Sequence, residues 1–185
     1  MKTEEYVKYF DEIIQGKVNI SPYDNPDYVH FTKLNQHRYA RWMKTGALTE
    51  NCKHILNNLT AHQEWILITE PWCGDAAHSV PFIGLMAEQS ASITLRLQLR
   101  DAEDSCIHQY LTNGAKSIPK LIVRDQNGND LFTWGPRPAA CQEIYASMKE
   151  AGADMDTLKT SLQEWYNADK GYSLQQEIGA LLLQC

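Results

Sequence analysis

An α/β fold is predicted by three stretches of this chain: a short apolar strand closed by a proline just before a helix, an alternating strand after that helix, and an Asn-Gly turn between two more strands. The first is Trp65-Ile66-Leu67-Ile68-Thr69, β-branched, aromatic, too short for a helix and stopped by Pro71. In the second, Ile93, Leu95, Leu97 and Leu99 alternate with Thr94, Arg96 and Gln98. The third is Asn127-Gly128, between Ile118–Val123 and Asp130–Trp134, a strong hairpin signal. A central mixed sheet follows, built from a βαβ unit with parallel strands plus a β-hairpin, flanked by helices.

The elements read in order as follows. Tyr6, Val7, Phe10, Ile13 and Ile14 share one helical face, and Gly16 is the stop. After the turn-rich Ser21-Pro22-Tyr23-Asp24-Asn25-Pro26, the residues Leu34, Tyr39, Trp42 and Met43 predict a helix ending near Gly46. A third helix starts after Thr49, with Cys52, Ile55, Leu56 and Leu59 on its inner face. The βαβ unit then takes Glu64–Glu70, Cys73–Gln89 and Ile93–Leu99. A short helix at about Ser105–Leu111 precedes the hairpin. Past the breaker Gly135-Pro136-Arg137-Pro138, helices are expected at about Ala139–Ala151, Asp156–Asn167 and Ser173–Leu183. Leu158, Leu162, Trp165 and Tyr166 share a face of the second of these, and Leu174, Ile178, Leu181 and Leu182 of the third. Those faces are expected to cover the sheet.

A chain of 185 residues is expected to form one domain: a helical N-terminal extension at 1–60, a core at 61–151 and C-terminal helices at 152–185. With 43% hydrophobic and 22% charged residues, it reads as an ordinary globular chain. A net charge of -6 provides no broad cationic surface, so neither nucleic acid nor membrane is an expected partner. The acidic N-terminus and the absence of a bilayer-length apolar run predict a cytoplasmic protein. Five dispersed cysteines, at 52, 73, 106, 141 and 185, fit a reducing compartment and no zinc spacing; no metal is expected. No oligomeric state is assigned.

The chemistry is concentrated in Cys73-Gly74-Asp75-Ala76, where the apolar strand ends and the helix begins. A cysteine there lies near unpaired N–H groups and the positive end of the helix dipole, which favour the nucleophilic thiolate. Asp75 adds negative charge in the same turn and acts against it.

In these residues the chain resembles the thioredoxin-like superfamily. Trp72-Cys73-Gly74 after an apolar strand is similar to the thioredoxin Trp-Cys-Gly-Pro-Cys motif, Ile118-Pro119 stands where that fold has a cis-proline, and the order of elements matches. It looks most like bacterial thioredoxin-like proteins with a Trp-Cys-Gly-Asp motif and extra N-terminal helices. The resemblance implies a thioredoxin-like fold over roughly 61–151, with Cys73 as nucleophile and Trp72, Ile118 and Pro119 positioning a substrate. It also implies protein or small-molecule disulfides as partners. Ala76 replaces the resolving cysteine, so no Cys-x-x-Cys cycle exists. Turnover then needs another thiol: glutathione or another low-molecular-weight thiol as co-substrate, a second protein, or a further cysteine of the chain. No bound cofactor is expected. The alternative is a redox-inactive thioredoxin-fold module that binds a peptide or protein through the Trp72 and Pro119 surface.

The remaining candidates have simpler readings. His78, five residues after Cys73, is expected to be solvated or capping, with a modulating role for the thiol as its sharper alternative. Cys106 and Cys141 read as small core residues, Cys52 as part of a helical apolar face and Cys185 as exposed. Arg137 is expected to be structural, with holding a carboxylate as its alternative if it points to the active edge, and Leu162, Trp165 and Tyr166 are expected to be core cover.

Overall fold

A computed structural model describes residues 1–185. Three helices come first: α1 (Thr3–Ile14), α2 (Pro26–Thr45) and α3 (Glu50–Asn57). Each begins where local hydrogen bonding satisfies free N–H groups. The Glu5 carboxylate accepts the Lys2 N–H at 2.7 Å, the Asn25 side chain accepts the Asp27 N–H at 2.9 Å ahead of Pro26, and Thr49 Oγ1 accepts the Cys52 N–H at 3.2 Å. The chain continues through β1 (Gln63–Thr69), α4 (Gly74–Glu88), β2 (Ile93–Leu99), a 3₁₀ turn (Cys106–Gln109), β3 (Lys120–Asp125) and β4 (Asp130–Trp134). It ends with α5 (Ala139–Glu150), α6 (Met155–Asp169) and α7 (Tyr172–Leu182).

The four strands form one mixed sheet in the order β2-β1-β3-β4. β1 and β2 are parallel, with Trp65 opposite Leu95, and β1–β3 and β3–β4 are antiparallel, with Ile66 opposite Ile122 and Leu121 opposite Trp134. Successive strand residues face opposite sides of a sheet. Trp65, Ile66, Leu67 and Ile68 are all buried, so helices cover both faces of β1. α1 and α2 reach the same core through Tyr6, Phe10, Tyr39 and Trp42, and α7 through Leu174, Ile178 and Leu182.

Three sequence expectations change. The segment after β2 is a single 3₁₀ turn, because Gln98 is buried and its side chain braces that loop: it donates to the Asp104 carbonyl at 2.8 Å and accepts from the Cys106 N–H at 3.1 Å. β3 starts at Lys120 rather than Ile118, and Ile118 takes part in no main-chain hydrogen bond. The apolar stripe of α6 does not cover the sheet. Leu158, Leu162 and Tyr166 pack with Cys141 of α5 in a small core of their own, and Trp165 lies at its margin.

Candidate functional site

The last residues of β1 and the first turn of α4 frame the site. Between them, Glu70-Pro71-Trp72-Cys73 makes a tight turn in which the Cys73 N–H reaches the Glu70 carbonyl at 3.0 Å. Cys73 is the N-cap residue of α4, and the Ala77 N–H returns to its carbonyl at 3.1 Å. α2 pins the turn from outside. Asn35, itself buried, donates through Nδ2 to the Pro71 carbonyl at 3.0 Å and accepts Arg38 Nη1 at 2.9 Å. Arg38 lies beside Gly74 and pairs with no carboxylate. Beneath the turn, the buried Glu70 accepts Tyr23 Oη at 2.8 Å.

Cys73 is only 7% exposed, and its thiol donates to the Ile118 carbonyl across 3.5 Å. Pro119 follows on a cis peptide bond, and both residues are buried. The structure therefore brings together Cys73, Ile118 and Pro119. Burial pushes the Cys73 thiol up to about 12 and the Asp75 charge adds to it; the Ala76 N–H, Arg137 and the Asp75 N–H offset only part of this. Desolvation thus outweighs the helix terminus. The thiol is therefore protonated at neutral pH in this conformation.

Trp72 stands half-buried at the rim. Tyr28 meets its ring edge-on at 5.3 Å, and the Arg100 guanidinium lies 4.7 Å over its face while forking to Asp101. Its indole N–H is buried and has no acceptor.

Asp75 is held by residues that sequence reading treated as structural. Arg137 binds it bidentately, Nη2 to Oδ2 at 2.7 Å and Nε to Oδ1 at 3.0 Å, and Tyr166 Oη donates to Oδ1 at 2.9 Å. Two parallel guanidinium bonds mark the group as a carboxylate. Burial pushes Asp75 up, and Arg137 and Tyr166 work in the other direction. Arg137 therefore does more than shape its turn, and Tyr166 does more than fill a core. Arg137 reaches the site because Gly135 sits directly on Pro119. At φ 108 Gly135 is in glycine territory, and a Cβ there would strike the Pro119 carbonyl.

His78 is neither solvated nor a cap. It is buried, its Nδ1 accepts Trp42 Nε1 at 2.8 Å, and its Nε2 meets Gln163 Oε1 at 3.1 Å. Indole is a donor only, so Nδ1 is unprotonated and Nε2 carries the proton. The ring stacks on Tyr166 at 4.4 Å and 2°. Burial lowers His78 to about 3, with Arg38 and Arg41 assisting, and both nitrogens are engaged away from the sulfur.

All five cysteines are free. Cys141 is fully buried, and its thiol is pushed up to about 12 by burial and then Asp75. Cys106 donates its thiol to Gln98 Oε1 at 3.2 Å, Cys52 lies buried in α3, and Cys185 is exposed. No three His, Cys, Asp or Glu side chains gather as a set able to hold a metal ion. No helix is long and apolar enough to cross a membrane.

A family model for thioredoxin matches residues 23–149, more than half of the chain. The chain belongs to this thioredoxin family. Among solved structures it is similar to an HIV epitope scaffold, at 16% identity and a TM-score of 0.62, over 84% of this chain and 91% of that one. It is also similar to a protein of unknown function from Pseudomonas aeruginosa, at 17% identity and a TM-score of 0.52, over 77% of this chain and 90% of that one. At these identities the likeness is one of fold. No curated protein matches the chain. The match of the thioredoxin family ends before α6, so Tyr166 lies outside it.

Proposed function

We propose that this thioredoxin-family protein is a monothiol disulfide oxidoreductase of the Trp-Cys-Gly-Asp type, with Cys73 as its nucleophile. The observation that carries this reading is the contact between the Cys73 sulfur and the carbonyl of Ile118, a residue that precedes Pro119 and has no main-chain hydrogen-bond partner. An extended substrate segment bonded to Ile118 would present its sulfur to Cys73 by strand addition. The Cys73 thiolate attacks one sulfur of a disulfide, the S–S bond breaks, and the other sulfur leaves as a thiolate. A mixed disulfide remains on Cys73.

Ala76 supplies no second sulfur, so an external thiol completes the cycle. Its thiolate attacks the substrate-derived sulfur of the mixed disulfide, the bond to Cys73 breaks, and Cys73 leaves as the thiolate. Over the cycle the external thiol is oxidised into a new disulfide with the bound group, and the substrate sulfur released in the first step is what is reduced. Glutathione or another small thiol bearing carboxylates suits this step, because Arg38 offers a half-buried guanidinium beside Gly74 with no carboxylate of its own. Five free cysteines fit work in the cytoplasm.

The resting site is closed, with the thiol protonated and covered. That same burial favours a second reading, a redox-inactive module that binds peptides along Trp72 and Ile118. The two separate in one experiment: reduction of a mixed-disulfide substrate by glutathione, with wild type and Cys73→Ser compared. Loss of turnover in the variant supports the oxidoreductase. Absence of turnover in the wild type, with peptide binding unchanged by Cys73→Ser, establishes the binding module.

A further inference from the structure

We infer that Tyr166 and Arg137 are positioning residues for Cys73, acting on its thiol through the carboxylate of Asp75. The inference rests on the reading of Cys73 as the reacting thiol. Asp75 stands two residues after Cys73 in the first turn of α4, and three donors from two separate segments converge on it. One segment is the Gly135–Arg137 turn, seated on Pro119; the other is α6.

α5 and α6 behave as a unit. Their apolar residues pack with each other around Cys141 rather than in the main core. α6 is joined to the body by hydrogen bonds, Tyr166 to Asp75, Gln163 to His78 and Asn167 to Arg41 at 2.7 Å, by the stack of Tyr166 on His78, and by Lys159 over the Phe31 ring. The unit is bracketed by backbone in the left-handed region, Gly135 on one side and Lys170-Gly171 on the other, at φ 53 and 75. Asp75 is thus the point at which a separately packed helical pair is fastened to the turn that carries the nucleophile.

The fastening acts on the sulfur by fixing a negative charge in the same helical turn as the thiol, and that charge favours the protonated Cys73. The charged and titratable groups facing Cys73 are Asp75 of α4, Arg137 before α5, Arg100 after β2, and Tyr6 of α1. Asp75 is the one that α6 touches. Burial, reinforced by the Asp75 charge, keeps the Tyr166 phenol protonated, so it stays a donor across the working pH range.

The test is the pH dependence of Cys73 alkylation, read by mass spectrometry, in wild type, Tyr166→Phe, Asp75→Ala and the double variant. Asp75→Ala is expected to move the Cys73 profile to lower pH by a unit or more, about tenfold in rate near neutrality. Tyr166→Phe is expected to raise the rate about threefold or more in the wild-type background and to add nothing to Asp75→Ala. Asp75→Asn replaces Asp75→Ala if the alanine variant does not fold. Two results overturn the inference: Tyr166→Phe lowers thermal stability but leaves the Cys73 profile unmoved, or it acts equally with and without Asp75. Alkylation reads the thiol itself, so failure of disulfide exchange would sink the proposed activity and leave this result readable.

Discussion

The Tyr166 hydroxyl donates to the Asp75 carboxylate across 2.9 Å, joining residues 91 apart in the chain and tying α6 to the turn that bears Cys73. This bond and the Arg137 fork make the environment of the thiol a property of the whole C-terminal half rather than of a four-residue motif.

Removing the Asp75 charge is expected to act on two thiols at once. Asp75 raises both Cys73 and Cys141. In Asp75→Asn both should ionise at lower pH, while Cys141, fully buried, stays unlabelled in the native protein. Thiolate absorbance against pH in the native variant and wild type checks the ionisation of both thiols, and labelling of native and unfolded protein checks the burial of Cys141.

His78 makes stability depend on pH. Its folded value of about 3 lies below the ordinary 6.5, so between these two values the unfolded chain binds a proton that the folded one refuses. Stability therefore rises with pH across that window and falls as pH drops below about 6.5. The loss between about pH 7 and pH 5 should be on the order of 2 kcal/mol. Urea unfolding at both pH values should show this slope, and His78→Gln should flatten it.

Trp42→Phe leaves His78 Nδ1 buried without its donor. The expected cost is about 1–3 kcal/mol. Because a lone buried acceptor takes up a proton more readily than a bonded one, the variant should also lose part of the acid sensitivity just described. Denaturant titrations of the variant at the same two pH values measure both effects.

Gly135→Ala combines a left-handed φ of 108 with a collision against the Pro119 carbonyl. A loss of about 2 kcal/mol or more is expected. The turn that delivers Arg137 should shift with it, and Cys73 should label faster. Thermal unfolding and alkylation of one preparation test the two together.

Much of the fold is legible because it is written in local periodicity. The alternation of Ile93, Leu95, Leu97 and Leu99, and Asn-Gly before Asp130, mark β2 and β4 at the bounds found. The candidate site was legible only in part. The structure places the Cys73 thiol on the Ile118 carbonyl beside Pro119, but the state of the thiol depends on burial, which local spacing does not encode. Tyr166 was hidden because Leu158, Leu162 and Tyr166 satisfy a helical stripe; nothing in that stripe announces that a phenol oxygen reaches Asp75. His78 was read from its neighbours along α4, whereas its partners Trp42 and Gln163 come from α2 and α6. For Arg137 the motif Gly-Pro-Arg-Pro signals a turn, and only its seat on Pro119 aims the guanidinium at Asp75.

The central claim, that Cys73 exchanges with disulfides, is tested most directly by incubating the native protein with oxidised glutathione at about pH 9 and mapping the adducts by mass spectrometry. The expected result is a mixed disulfide on Cys73, slower to form than any adduct on exposed Cys185, absent from Cys73→Ser and released by reduced glutathione. An adduct on Cys185 alone, with Cys73 unmodified until the protein unfolds, would contradict the claim.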